Sequence, residues 1–277
     1  MSEVSGAYRR ERTHTVRRPP PEENPVPKNY ICDMDGVLVF GSQAIPGANE
    51  FIQRLQAAGA KFLVLTNNSL YTQRDLHVRL ARIGLDVPIT ALYTSAMATA
   101  QFLAAQHPGG SAYVIGEAGL TTALHDTGYI ITDQNPEYVV LGETLSYSFE
   151  RITQAMRFVA AGARFIATNP DVSGPGEGGM VPATGAVAAM ISAATGVKPY
   201  YIGKPNPLIM RTALRTLNVH SEDSVMVGDR MDTDIIIGTE AGLETILVLT
   251  GVTRREDVAQ YPYRPTHILD SVASIEV

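Results

Sequence analysis

Tyr30-Ile31-Cys32-Asp33-Met34-Asp35-Gly36-Val37-Leu38 is the stretch on which the reading of this chain turns. The apolar run Tyr30 to Cys32 is predicted to be a short buried strand. It ends on two carboxylates separated by one residue. If the extended geometry continues, Asp33 and Asp35 project to the same side. Gly36 then permits a sharp turn that leaves backbone N–H groups free. Two acids at the end of a buried strand are costly to desolvate unless a cation or a proton compensates them. A calcium-loop reading fails, because apolar Val37-Leu38-Val39 stands where further oxygen ligands should come. A plain turn is the bland alternative, and only the rest of the chain decides against it.

Downstream, Pro46-Gly47 opens a helical pattern through Ala48, Phe51, Ile52 and Leu55 that closes at Gly59. Phe62-Leu63-Val64-Leu65 is a continuous apolar run, as expected of a parallel strand buried on both faces. It ends in Thr66-Asn67-Asn68-Ser69. Leu76, Leu80 and Ile83 mark a second helix, stopped by Gly84, and Ala91 to Tyr93 a third strand, with Thr94-Ser95 capping the next helix. Tyr113 to Ile115, Tyr138 to Leu141 and Phe165 to Thr168 read as further strands. Phe149, Ile152, Met156 and Val159 read as one helix face, and Gly185 to Thr195 as another helix. The first pattern resumes at Tyr200-Tyr201-Ile202, which leads to Gly203-Lys204-Pro205. Asn206-Pro207 starts a helix. Ser224 to Val227 leads to Gly228-Asp229, and Thr245 to Leu249 and His267 to Leu269 are the last strands. Alternating strands and helices predict a doubly wound α/β core with a parallel sheet and a smaller inserted α/β unit. The expected division is a tail over 1–27, a core over 28–99 and 200–277, and an insert over 100–199. The tail, rich in arginine and proline but nearly charge-balanced, is expected to be disordered.

The whole chain has 277 residues, 45% of them apolar and 18% charged, with a net charge of −6. That balance suits a soluble globular protein and argues against a general nucleic-acid surface. An anionic substrate would need a local positive centre. The single cysteine, Cys32, excludes an intrachain disulfide and multi-cysteine metal sites. No apolar run reaches the length of a membrane span and no secretory pattern appears, so no membrane partner and a cytoplasmic location are expected.

Four strand ends carry reactive residues: Asp33 with Asp35, Thr66 with Asn67, Lys204, and Asp229 with Asp234. Open α/β sheets bind ligands beyond the carboxyl ends of their strands, and the four sets are expected at that one edge. The chemistry they suit is phosphoryl transfer. Asp33 is positioned to attack phosphorus, and Asp35 to protonate the leaving oxygen and then take a proton from water. Asp33, Asp229 and the backbone carbonyl of Asp35 suit Mg²⁺. Lys204 would neutralise Asp33 and a phosphate oxygen. Gly36, Thr66, Asn67 and Asn68 would hold the other phosphate oxygens near a helix start. Asp234 is expected to orient its neighbours rather than to bind metal.

Asp33-Met34-Asp35-Gly36-Val37, Thr66-Asn67-Asn68, Gly203-Lys204-Pro205 and Gly228-Asp229-Arg230-Met231-Asp232-Thr233-Asp234 together resemble the haloacid dehalogenase (HAD) superfamily. Within it, an acid two residues after the nucleophile marks phosphatases and phosphomutases. Only 33 positions separate Asp33 from Thr66, room for one crossover helix; 138 separate Thr66 from Lys204, room for an α/β cap. That arrangement is similar to the NagD-type branch. So are Tyr93 to Ala100, Phe165 to Asp171 and Gly242 to Leu249, and the resemblance extends over residues 28–277. It implies a Mg²⁺-dependent phosphatase acting on nucleoside monophosphates and other small phosphomonoesters. The Gly-rich loop near 174–180 departs from the pattern, which leaves substrate preference open. Glu143, Tyr147 and Met180 are the candidate leaving-group contacts.

Other signals carry less. Gly174-Pro175-Gly176-Glu177-Gly178-Gly179 fits G-x-G-x-x-G but not in a strand-to-helix turn. The six histidines lack zinc-ligand spacing. A phospho-accepting receiver domain also combines Asp, Thr and Lys, but lacks a counterpart of Asp35, of Asp229 and of the insert. A silent scaffold would not need acids at every station.

Overall fold

The computed structural model describes residues 28–176 and 179–277. The expected tail, and Glu177 and Gly178 of the glycine-rich loop, lie outside them. The chain opens with β1 (Asn29–Cys32), the small hairpin β2 (Val39–Phe40) and β3 (Gln43–Ala44), α1 (Ala48–Ala57), β4 (Phe62–Thr66), α2 (Gln73–Arg82), β5 (Leu92–Thr94) and α3 (Ser95–Gln106). Its middle third holds β6 (Ser111–Ile115), α4 (Ala118–Asp126), β7 (Ile130–Ile131), β8 (Tyr138–Leu141), α5 (Phe149–Ala160) and β9 (Arg164–Ala167). The hairpin β10 (Ser173–Gly176) and β11 (Gly179–Pro182), α6 (Thr184–Thr195) and β12 (Tyr200–Tyr201) complete that third. The remainder is α7 (Pro207–Leu217), β13 (Ser224–Gly228), α8 (Ile236–Glu240), β14 (Glu244–Val248) and β15 (His267–Leu269).

Two parallel sheets organise these elements. The larger runs β15-β14-β13-β1-β4-β5 and the smaller β12-β9-β8-β6-β7. Apolar runs buried on both faces explain the first. Ile31, Leu63, Leu65 and Met226 belong to one apolar layer, and Tyr30, Cys32, Val64, Val225 and Val227 to the other. The second sheet alternates likewise: Val114, Val140 and Ile166 on one face, Val139, Leu141 and Phe165 on the other. One layer is continuous across both sheets, joining Ile31 and Leu63 to Val140 and Ile166 through α3 and α7.

The expectations hold at most elements, with the following differences. Extended geometry stops at Cys32, because the chain bends at Met34 and turns through Gly36 to Leu38. Tyr200 and Tyr201, placed with the core on sequence grounds, pair with Ile166 and Ala167 of β9 in the smaller sheet. The expected boundary at residue 99 falls inside α3. Phe149, the first residue of α5, is 79% exposed, so the buried face of that helix begins at Ile152. The Gly-rich segment forms an antiparallel hairpin rather than a dinucleotide turn. No helix among the described residues is long and apolar enough to cross a membrane.

Candidate active site

The strand order reverses between β1 and β13: β4 and β5 extend one way from β1, β14 and β15 the other. A crevice forms at the carboxyl edge of such a switch point. Asp33 follows β1, Thr66 closes β4 and Asp229 follows β13, so three of the four sets arrive there as expected. Lys204 arrives by another route. It follows β12 of the smaller sheet, and reaches the same crevice from across it.

Lys204 Nζ lies 2.7 Å from Asp33 Oδ1 and 2.7 Å from Asp234 Oδ1. Its backbone is clamped by one side chain: Asn67 Oδ1 accepts the Lys204 N–H at 2.8 Å, and Asn67 Nδ2 donates to the Lys204 carbonyl at 3.1 Å. The Asn67 amide therefore positions the lysine, leaving its own backbone N–H for a ligand. Asn68 Oδ1 accepts from the N–H groups of Leu70 and Tyr71, so it serves the local turn. Thr66 Oγ1 accepts the Asn68 N–H at 3.1 Å, which leaves its hydroxyl proton to donate. Asp234 sits in a π-helical turn, Met231–Ile235, a distortion that recurs at functional sites. Its Oδ2 accepts the Arg230 N–H at 3.1 Å. Gly228 makes room for it, since a Cβ there would lie 2.1 Å from Asp234 Cβ.

Asp229 is wedged between two glycines. A Cβ on Gly36 would stand 2.4 Å from Asp229 Oδ2, and one on Gly251 2.0 Å from the same atom. Gly36 also has φ +79°, a conformation other residues adopt only with strain. Asp229 Oδ2 accepts the Val252 N–H at 2.7 Å, whereas Oδ1 is buried with no hydrogen-bond partner. Oxygens of Asp33, Asp229 and Asp234 all lie within 4.8 Å of one another. Three buried acids thus face one ammonium, with an unsatisfied carboxylate oxygen among them. A hard divalent cation fits that donor set and that charge deficit.

The titration behaviour follows from this crowding. Burial pushes Asp33 up; Lys204 opposes it, while Asp234, Asp229 and Asp35 add to it, and the net direction is up. Burial pulls Lys204 down, but Asp234 and Asp33 outweigh it, so the lysine stays protonated. Asp229 is pushed up to about 7, by burial first and the Asp234 charge second. Asp35 moves up as well, through loss of solvation and the Asp171 charge against the pull of Lys204. Its side chain nonetheless reaches solvent at the mouth of the crevice, which tempers the first of these causes.

The smaller sheet supplies a facing wall. Glu143 Oε2 accepts the Ser69 N–H at 3.0 Å, and burial raises its pKa to about 7. Tyr147 folds beside it, its hydroxyl donating to the Gly142 carbonyl at 3.2 Å. Met180 stands on the hairpin strand β11, 80% exposed, rather than packed on the carboxylates. Sequence reasoning gives Asp171 no role. It accepts from Asn67 Nδ2 at 3.0 Å and from Arg230 Nη1 at 3.1 Å, tying the wall to the crevice. The loop Thr250 to Thr253 also escapes a reading of the sequence. Thr250 Oγ1 donates to the Gly36 carbonyl at 2.6 Å, and the Thr253 N–H to the Asp229 carbonyl at 3.1 Å. Its one signal is a glycine just past the end of a strand at the ligand-bearing edge.

Known proteins share this fold. Family models of haloacid dehalogenase-like hydrolases match residues 30–130 and, as HAD-hydrolase-like, residues 201–275. The chain is 57% identical to the dihydroxyacetone phosphatase of Corynebacterium glutamicum, covering 89% of this chain and 90% of that protein. It is 50% identical to the ribonucleotide monophosphatase NagD of Escherichia coli, covering 90% and 98%. The solved structure of E. coli NagD superposes with a TM-score of 0.85 over 90% of this chain and 98% of that one. A p-nitrophenyl phosphatase from Archaeoglobus fulgidus, 37% identical, gives 0.84 over 90% and 98%. The chain therefore belongs to the haloacid dehalogenase-like hydrolases, as a capped phosphatase of the NagD type.

Proposed function

We propose that this phosphatase hydrolyses nucleoside monophosphates or other small phosphomonoesters with Asp33 as nucleophile, Asp35 as general acid and base, and Mg²⁺ as cofactor. The observation that carries the reading is the unpartnered Oδ1 of Asp229, buried beside an Asp33 whose other neighbour is the Lys204 ammonium. Asp33 and Asp229 would hold the ion with the Asp35 carbonyl, and the ion supplies charge compensation for the phosphoryl oxygens. Asp33 attacks phosphorus to give an aspartyl phosphate while Asp35 protonates the departing oxygen. Asp35 then takes a proton from the water that cleaves the intermediate. Its upward-shifted pKa and its position at the solvent mouth suit both duties. Lys204 stays charged and holds Asp33 and a phosphate oxygen; Asp234 keeps the lysine aimed. Thr66 and the Asn67 N–H would take the remaining phosphate oxygens; the Gly36 N–H, expected to be free for this, instead donates to the Val39 carbonyl at 2.7 Å. The core over 28–99 and 200–277 and the cap over 100–199 are part of this reading. A cytoplasmic location is proposed with it.

Asp33→Asn tests the assignment. It should abolish phosphate release from 4-nitrophenyl phosphate, a loss of about 10³-fold or more, while circular dichroism stays unchanged. EDTA should silence the wild-type protein and added Mg²⁺ restore it. Normal turnover by the variant would remove Asp33 as nucleophile, and indifference to EDTA would remove the metal.

A further inference from the structure

Glu143 projects from the end of β8 and is held at two points by a single core residue. The Ser69 N–H donates to Glu143 Oε2 at 3.0 Å, and the Glu143 N–H donates to Ser69 Oγ at 2.9 Å. The Thr168 hydroxyl steadies the same Ser69 oxygen at 3.2 Å. The Asn169 side chain also lies against this carboxyl, which is thus fixed in direction and keeps lone pairs to accept from a ligand. Ser69 follows the Thr66-Asn67 strand end, and Asn67 Nδ2 donates to Asp171 at 3.0 Å, so Glu143 and Asp171 both lie against the loop that closes β4. The cations of the region are committed elsewhere. Lys204 is spent on Asp33 and Asp234, and Arg230 on Asp171 and Asp232. The wall built by Glu143 and Asp171 is thus acidic, with a positioned acceptor and a surplus of negative charge.

We propose that Glu143 is a specificity residue that selects phosphomonoesters with a hydroxyl close to the ester oxygen and rejects those with a carboxylate or second phosphate there. It accepts the hydroxyl proton through Oε1, and repels an anion at the same place. The proposal rests on the phosphatase reading and narrows its substrate class to hydroxylated leaving groups.

Two substrates of equal length decide it: 2-hydroxyethyl phosphate and 2-phosphoglycolate, compared at about pH 8 in the wild-type protein and in Glu143→Gln. The glutamine can still accept the Ser69 N–H. The wild-type protein should favour the hydroxyl substrate in kcat/KM by about tenfold or more, and Glu143→Gln should narrow that ratio by about tenfold, chiefly by improving phosphoglycolate. A ratio that stays within about twofold of the wild-type value, or an equal fall on both substrates, would make Glu143 a structural clamp and overturn the proposal. Failure of the wild-type protein to hydrolyse 4-nitrophenyl phosphate would overturn the phosphatase reading and this proposal together. Hydrolysis of 4-nitrophenyl phosphate with an unchanged ratio would overturn this proposal alone.

Discussion

Asp229 owes its position to what its neighbours lack. Gly36 and Gly251 leave no atom where a Cβ would overlap Asp229 Oδ2, and the Val252 N–H fixes the carboxylate so that Oδ1 turns inward unpaired. Alanine at residue 36 therefore acts twice. It places a Cβ at φ +79°, at a cost of about 1–2 kcal/mol, and pushes the Asp229 carboxylate from its seat. Gly36→Ala should weaken Mg²⁺ binding at least about tenfold by titration calorimetry and lower kcat/KM about 100-fold, because displacements of an ångström at reacting groups have effects of that size. An unchanged Mg²⁺ affinity would show that the carboxylate tolerates the methyl group.

At the scale of elements, α7 links the lysine to the fold. Asn206 caps this helix, accepting the Leu208 N–H at 2.9 Å, while its amide donates to the Tyr201 carbonyl at the end of β12. Asn206→Ala should lower stability by about 1 kcal/mol in urea melts, within the range for a lost N-cap; no change would mean that Pro207 alone starts the helix. This cap was legible in the sequence, as were β1 and β13 with their terminal acids and β4 with its terminal threonine. An apolar run, a breaker and a cap are local signals, each complete within ten residues. What could not be read is which sheet a two-residue strand joins. Tyr200-Tyr201 has the same composition whichever neighbour it pairs with, and partner choice depends on residues 34 positions earlier in β9. The clamp of Asn67 on Lys204 spans 137 positions and was hidden for the same reason. Asp33 and Asp229 were visible because each follows a strand; the groups that aim them were not.

Across the whole molecule, the apolar layer that runs from Ile31 and Leu63 to Val140 and Ile166 leaves no seam between the sheets. Core and cap should therefore unfold together. Calorimetry should give one transition with equal calorimetric and van't Hoff enthalpies. Two separated peaks would mean that the shared layer contributes little. The Asp171 to Arg230 pair adds specificity of docking more than stability, because it is partly exposed. The route by which Lys204 enters has an implication for modularity. Caps of this kind look exchangeable, as detachable covers that one enzyme could trade with another. Here the cover ends in the strand that hands over the site's ammonium group. Excision or grafting at the end of β12 would leave the hydrolytic acids in place but strip them of their counter-charge, so a transplant must carry the segment through Pro205 with it.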